Sequence, residues 1–314
     1  MFSVIIPNYN HARFLKKRID SVLQQTFTDF EVIILDDHST DESIEIIESY
    51  QDQRITHKIY NAENSKSPFS QWKKGLLLAQ YDFIWIAESD DFCSPEFLDT
   101  AYKILIQDKE ISLYYCDSNL IDENEKPFFN TIQKYTQELD DSLWNNDHKI
   151  TGKTYIKKYL SKKNFILNAS SVIFKKEAGL KAIEHIQDFK TSGDWLFYAH
   201  ILLDGAVYFH AEKQNYFRHL SQSTRNYNTL EKRERRILEK IKVTEFFLEK
   251  NDYQDFEKQQ IITNLIDEWI RYHFLKELLN SSFYKIAKFP FLNISKIQLL
   301  KKTLLKKISN RFNR

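Results

Sequence analysis

The stretch Phe83-Ile84-Trp85-Ile86-Ala87-Glu88-Ser89-Asp90-Asp91 decides how this chain is read. Five apolar residues run without interruption into four short polar ones, three of them acidic. An unbroken apolar run is what a strand covered on both faces requires, so the first five read as a central strand. The next four then lie at its carboxyl end, where ligands bind in open α/β sheets. Neighbouring carboxylates repel one another, and a concentrated cluster calls for a cation. Oxygen donors suit Mg²⁺ or Mn²⁺, which bridge to phosphate oxygens and neutralise charge developing on a departing diphosphate. The competing reading is an acidic N-cap for a helix starting near Pro95.

Outward from this stretch the chain alternates short apolar runs with amphipathic segments. The runs lie at Val4–Pro7, Val32–Leu35, Ile55–Tyr60, Phe83–Ala87 and Ser112–Cys116, and the helical segments at about 12–25, 41–51, 69–80 and 95–107. Alternation at these lengths implies βαβ units and a largely parallel sheet. Asn8-Tyr9-Asn10 follow the first run and Asp36-Asp37 the second, so three polar clusters are expected on one edge with Glu88–Asp91. In Asp36-Asp37-His38-Ser39-Thr40-Asp41, Ser39 or Asp41 caps the next helix, which leaves Asp37 for a nucleobase or ribose.

Residues 118–150 turn polar and read as a long loop or lid. A strand at Ser170–Phe174 and helices near 176–187 and 194–203 follow, and beyond about 226 the pattern is helical and charged, with a further helix at 255–280. The expected organisation is a domain over 1–225, with a nucleotide-binding half at 1–117 and an acceptor half at 118–225, and a basic helical extension over 226–314. Within the extension, 295–314 sets Ile297, Leu300, Leu304, Leu305 and Ile308 among Lys and Arg, as a helix lying on an anionic membrane face would.

The 314 residues are 42% hydrophobic, enough for a sizeable core, and 45 Lys+Arg almost cancel 44 Asp+Glu. That balance argues against a nucleic-acid binder. Cys93 and Cys116 have no metal-ligand spacing and form no disulfide framework. Met1 leads straight into Ser3-Val4-Ile5-Ile6-Pro7, with neither a secretory leader nor a long uncharged apolar run. The expectation is a cytoplasmic protein, peripheral on the inner membrane through 295–314.

Ser3-Val4-Ile5-Ile6-Pro7-Asn8-Tyr9-Asn10, Gln25-Thr26-Phe27 and Asp36-Asp37-His38-Ser39-Thr40-Asp41 resemble the opening of family 2 glycosyltransferases with the GT-A fold. Pro68-Phe69-Ser70-Gln71-Trp72-Lys73-Lys74-Gly75, running on to Ile84–Asp91, is similar to a bacterial surface-polysaccharide branch of that family. The likeness is strong over about 2–120, weaker to about 225 and absent beyond. It implies a Rossmann-like α/β domain with a mainly parallel mixed sheet flanked by helices, and an inverting, metal-dependent transfer. The sugar would pass from a nucleoside-diphosphate donor, commonly a UDP-sugar, to a glycan or polyprenyl-linked acceptor in polysaccharide or lipopolysaccharide synthesis.

By position, the resemblance implies that Pro7 and Tyr9 line the nucleotide pocket and that Asp37 contacts the base. Glu88-Ser89-Asp90 matches the Asp-x-Asp signature, with Asp90 on a Mn²⁺ or Mg²⁺ ion and Glu88 near the ribose or the ion. Asp194, in Thr191-Ser192-Gly193-Asp194-Trp195-Leu196, matches the later acidic motif and would be the base that deprotonates the acceptor hydroxyl; an N-cap is the competing role. Trp195 beside it would stack on a sugar. In Tyr216-Phe217-Arg218-His219, Arg218 would pair with diphosphate and His219 ligate the metal. Two departures stand out: Glu replaces the usual Asp at 88, and the tail motif is one residue short.

Two other functions compete. A nucleotidyltransferase would want an early glycine-rich phosphate loop, yet the chain has five glycines and none before Gly75. A degenerate nucleotide-sugar-binding or scaffold protein would keep the fold without turnover.

Overall fold

A computed structural model describes residues 1–128, 135–220, 229–272 and 305. Strands β1 (Phe2–Asn8) and β2 (Phe30–Asp36) are buried along their whole length, as their unbroken apolar sequences require. They pair in parallel, with Val4 opposite Val32, and β1 also pairs in parallel with β4 (Phe83–Ile86), placing Val4 opposite Trp85. On the outer side β2 pairs in parallel with β3 (Ile55–Tyr60). Helices α1 (Ala12–Leu23), α2 (Ser43–Glu48) and α3 (Pro68–Leu78) connect these strands, and α4 (Phe97–Gln107) follows β4. Pro68 sits in the first turn of α3, where its missing N–H costs nothing. A Cβ built on Gly75 would lie 2.5 Å from Ile5 Cγ2, so the absence of a side chain there lets α3 pack close on β1.

The remaining strands are β5 (Phe92–Cys93), β6 (Ile111–Ile121), β7 (His148–Thr151), β8 (Val172–Lys175) and β9 (Ala206–Arg218). Among the described residues the sheet has nine strands in the order β3-β2-β1-β4-β8-β6-β9-β5, with β7 also on β9. β8 runs antiparallel to β4 and β6, whereas β6 and β9 are parallel. The sheet is therefore parallel through β1–β4 and mixed beyond. The expected strands and helices of the first 117 residues are all present. Two expectations change: 118–150 is not one loop, because β6 extends to Ile121 and β7 pairs with β9, and Ala206–Arg218 is a 13-residue strand. Its apolar run stops at Phe209, and His210, the exposed Glu212 and Lys213 interrupt the rest, so no continuous run marks it.

The chain divides into two compact units. One takes Met1–Leu160 and Asn164–Ser223; the other takes Ser161–Lys163 and the chain from Thr224 onward. In the second unit the helices Leu230–Lys250 and Asp255–Tyr272 share an apolar core around the fully buried Trp269, and Glu268 is held by Arg236 at 2.7 Å and by Lys240. Among the described residues no helix is long and apolar enough to cross a membrane. The segment 295–314 proposed to lie on a membrane falls outside the described residues, Leu305 excepted.

Gly152 offers a direct test of the packing. A Cβ there would stand 1.8 Å from the Leu202 carbonyl oxygen and 2.7 Å from that of Gly205, both main-chain atoms that cannot rotate aside. Gly152→Ala is expected to cost about 3 kcal/mol, read as a lower denaturant midpoint in an equilibrium unfolding curve.

Candidate active site

The carboxyl ends of β2, β1 and β4 lie side by side, and hydrogen bonds join their polar residues. Asn8 donates Nδ2 to Asp36 Oδ2 at 2.8 Å and to Ser39 Oγ at 3.2 Å. Ser39 Oγ also accepts the Asn10 N–H at 2.9 Å, and His11 Nδ1 meets Ser89 Oγ at 2.9 Å. The three clusters converge on one edge. Asn10 and His38 hold left-handed backbone there, with φ of 54° and 66°, a conformation that non-glycine residues adopt at a cost and that gathers at functional sites. Asp41 ties the N-terminus of α1 to that of α2, accepting from Ala12 N at 2.9 Å and Ser43 N at 3.1 Å.

The three acids after β4 have different surroundings. Asp91 is buried, its Oδ2 accepting from Asn168 Nδ2 at 2.8 Å and Ser170 Oγ at 2.7 Å and its Oδ1 from the Arg218 main chain at 2.8 Å. Burial and the neighbouring Asp90 carboxylate push its acid up to about 6, against the pull of Arg18 and of those donors. Glu88 is half-buried and accepts from Trp72 Nε1 at 2.9 Å. Burial, then the Asp90 charge, push it up to about 8. The Asp90 side chain, by contrast, takes no hydrogen bond among the described residues, and only its main-chain carbonyl is engaged, by Arg218 Nε at 2.8 Å. The N-cap reading of this cluster falls away, because the next helix begins at Phe97 and Glu96 occupies its cap position.

The other expected site residues sort themselves by contact. Pro7 is buried within β1, and Tyr9, just beyond it, is 47% exposed. Ser89 is buried under His11. Asp37 is not left open as expected: its carboxylate accepts from Asn61 Nδ2 at 2.6 Å, Gln71 Nε2 at 2.8 Å and the Ser65 N–H and hydroxyl at 2.9 and 2.8 Å. Those bonds organise the 61–71 segment below the edge. Arg218 also departs from its expected role. Its side chain is 2% exposed, with Nη1 on the Asp122 carbonyl at 3.2 Å and Nη2 on Glu125 at 3.3 Å, so protein groups occupy the guanidinium in place of a diphosphate. His219 is exposed, its ring against Phe217 and Phe128.

Asp194 lies in the first turn of the helix Gly193–Ile201, whose N-cap position is Ser192, and Asn164 Nδ2 reaches its Oδ2 at 3.1 Å. The dipole of a helix N-terminus favours a carboxylate there. The helix is packed toward the acidic motif: Phe197 meets Trp72 edge-on at 5.5 Å, and a Cβ on Gly193 would lie 2.7 Å from the Phe69 ring. Trp195 is corrected to a core residue, 7% exposed and donating Nε1 to the Leu160 carbonyl at 2.8 Å.

Sequence reasoning missed Arg18, Asn168 and Ser170. Arg18 reads as one more solvated base on a charged helix. The fit to α1's apolar face, with Leu15, Ile19 and Val22, was the one signal that it turns inward.

A divalent ion fits this donor set in one way. Among the described residues no group of three or more His, Cys, Asp or Glu side chains converges as a metal cage. Mg²⁺-type sites use one or two carboxylates and complete their shell with water and substrate phosphates. One unengaged carboxylate on an acidic rim is what such an ion needs when it arrives with a diphosphate.

Comparison with known proteins agrees with this layout. The family model described as glycosyl transferase family 2 matches residues 3–165, just over half of the 314-residue chain. The glycosyltransferase GlyG of Streptococcus pneumoniae is 29% identical over 131 residues, 41% of this chain and 42% of that protein. The poly(ribitol-phosphate) β-N-acetylglucosaminyltransferase TarS of Staphylococcus aureus is 35% identical over 103 residues, 32% of this chain and 18% of TarS. The chain thus spans less than half the length of these curated relatives. In three dimensions, TarS 1–349 in complex with UDP superposes with a TM-score of 0.59 at 19% identity, covering 100% of this chain and 92% of that one. A mannosyltransferase from Pyrobaculum calidifontis in complex with GDP-Man and Mn²⁺ gives 0.52 at 13% identity, covering 98% and 87%. Such identities speak for the fold alone, a GT-A-type α/β architecture. With the family model across the whole parallel half of the sheet, the chain belongs to glycosyl transferase family 2.

Proposed function

We propose that the chain is an inverting, metal-dependent glycosyltransferase. It takes a sugar from a nucleoside-diphosphate donor, UDP first among the candidates, and moves it to a hydroxyl of a glycan or polyprenyl-linked acceptor of cell-surface polysaccharide. The observation that carries this reading is the Asp90 carboxylate, unengaged among the described residues between two acids that the protein holds, at the edge where β1, β2 and β4 end. The ligands bound in the structural neighbours, UDP, UDP-GlcNAc and GDP-Man with Mn²⁺, support a nucleotide-sugar partner.

Asp90 would hold the ion, with His219 as the second candidate ligand. An ion there supplies charge neutralisation for the leaving diphosphate. The chain's own residues do the rest. Tyr9, exposed beyond β1, borders the nucleotide pocket, and Asp37 shapes that pocket by ordering 61–71 rather than by touching the base itself. Asp194 receives the acceptor's proton. It lies in the first turn of its helix, and Asn164 orients one oxygen.

Two outcomes follow. Release of nucleoside diphosphate from a panel of UDP-, dTDP- and GDP-sugars with Mn²⁺ or Mg²⁺ is expected for one donor class. Chelator should abolish it, and Asp90→Ala should lower it by roughly a hundredfold or more. Absence of both turnover and metal-dependent nucleotide binding would sink the catalytic reading in favour of a scaffold. Asp194→Asn is expected to lower kcat by about 10²–10⁴-fold while nucleotide affinity stays unchanged; weakened nucleotide binding would remove Asp194 from the role of base.

A further inference from the structure

The acidic motif is gripped through its main chain by two arginines two hundred residues apart in sequence. Arg18 on α1 donates Nε to the Glu88 carbonyl at 2.8 Å, and Arg218 at the end of β9 donates Nε to the Asp90 carbonyl at 2.8 Å. Both are buried, at 0% and 3% exposure. Arg218 is braced from the far side by the 122–125 turn and lies over the Phe14 ring at 4.5 Å. Arg18 is different. Among the described residues no oxygen or nitrogen acceptor meets its buried Nη1 and Nη2; its charge acts instead on Asp91, Glu88 and the Cys93 thiol, and its guanidinium lies 5.6 Å from the Trp85 ring. A buried cation is costly unless charges around it compensate, and removing one partner of such a buried group costs more than the pair itself. The Arg18 charge faces the Asp91 and Glu88 acids and holds them down, and the carbonyl it takes belongs to the same acidic motif.

We propose that Arg18 and Arg218 are positioning residues that clamp the Glu88–Asp91 main chain from two sides. With that segment immobile, Trp72 keeps Glu88, three donors keep Asp91, and Asp90 is the one acid left to meet a cation. Two fixed positive charges also stand against three carboxylates, which lowers the repulsion among them before any ion binds. The grip needs a guanidinium: it is permanently charged, and its rigid fork can place Nε on one carbonyl while the Nη atoms serve others, as Arg218 does. The link to cation binding rests on the reading of Asp90 above; the grip on the main chain does not.

The test uses the full chain and two readouts on the same samples. Hydrogen–deuterium exchange is followed over a peptide spanning 88–92, whose amides are protected by Glu88 N–H to Ser170 Oγ and Asp91 N–H to the Glu88 carbonyl. A peptide spanning 30–36, the buried strand β2 of the same unit, serves as reference, and Mn²⁺-dependent UDP binding is measured alongside. In Arg18→Met, Arg18→Lys and Arg218→Lys the 88–92 amides are expected to exchange about tenfold faster with the reference unchanged, and UDP affinity to fall about tenfold, as for other groups that orient a metal ligand. Arg18→Met is expected to melt lower than the parent, because it leaves Glu88 and Asp91 without that buried counter-charge, whereas Arg18→Lys keeps the charge. Should Arg18→Met fail to fold, the two lysine variants carry the test. Unchanged exchange at 88–92, or acceleration equal to that of the reference, would overturn the clamp. Local acceleration with parent-like UDP binding would overturn its link to Asp90. If the parent itself binds no UDP with Mn²⁺ while the 88–92 amides still loosen in the variants, the clamp stands and the cation site falls.

Discussion

Asp91 places a carboxylate at the buried end of a central strand, and the molecule is built so that this is tolerable. Its two oxygens take hydrogen bonds from Asn168, from Ser170 and from the main chain of Arg218, partners 77, 79 and 127 residues away. Removing one such donor would leave an uncompensated acid in the core, which costs far more than the bond itself contributes. The demand for donors thus draws the start of β8 and the end of β9 to the end of β4. Ser170 has a double duty, since its hydroxyl also accepts the Glu88 N–H at 3.1 Å and its carbonyl receives Trp85 Nε1 at 2.8 Å.

From that anchor the neighbouring residues acquire distinct chemistry. Glu88, Asp90 and Asp91 look alike as letters, yet among the described residues one is tied to an indole, one to three donors and one to nothing on its side chain. The raised acids of Glu88 and Asp91 share a cause, burial beside the Asp90 charge. Perturbed acids of this kind gather at functional sites, although ion networks of purely structural purpose also produce them. The separation of roles, more than the shift, distinguishes a site from a cap.

How much could be read without coordinates depended on how local each signal was. The strands and helices up to Cys116 were legible because apolar runs and 3.6-residue periods are local consequences of burial. The convergence of Asn8, Asp36 and Glu88 on one edge was legible too, since parallel βαβ order dictates which strand ends share an edge. β7 and β9 were not, because a strand with one face toward water carries charged residues and its partner is chosen at long range. Asp37 and Trp195 were read as ligand contacts; the first is taken up by Asn61, Ser65 and Gln71, the second by the Leu160 carbonyl. None of these four partners is near in sequence.

By itself the amino-acid order determined the parallel half of the sheet, the edge that carries the polar residues and the family resemblance. Those follow from hydrophobic period and from short motifs whose meaning is local. Only the tertiary structure decided which acid is left open, that Arg18 turns inward, and that Arg218 grips Asp90 rather than reaching outward. Those outcomes rest on which donors arrive from distant segments. A buried polar group's state is set by the partners that folding brings to it, not by its neighbours along the chain.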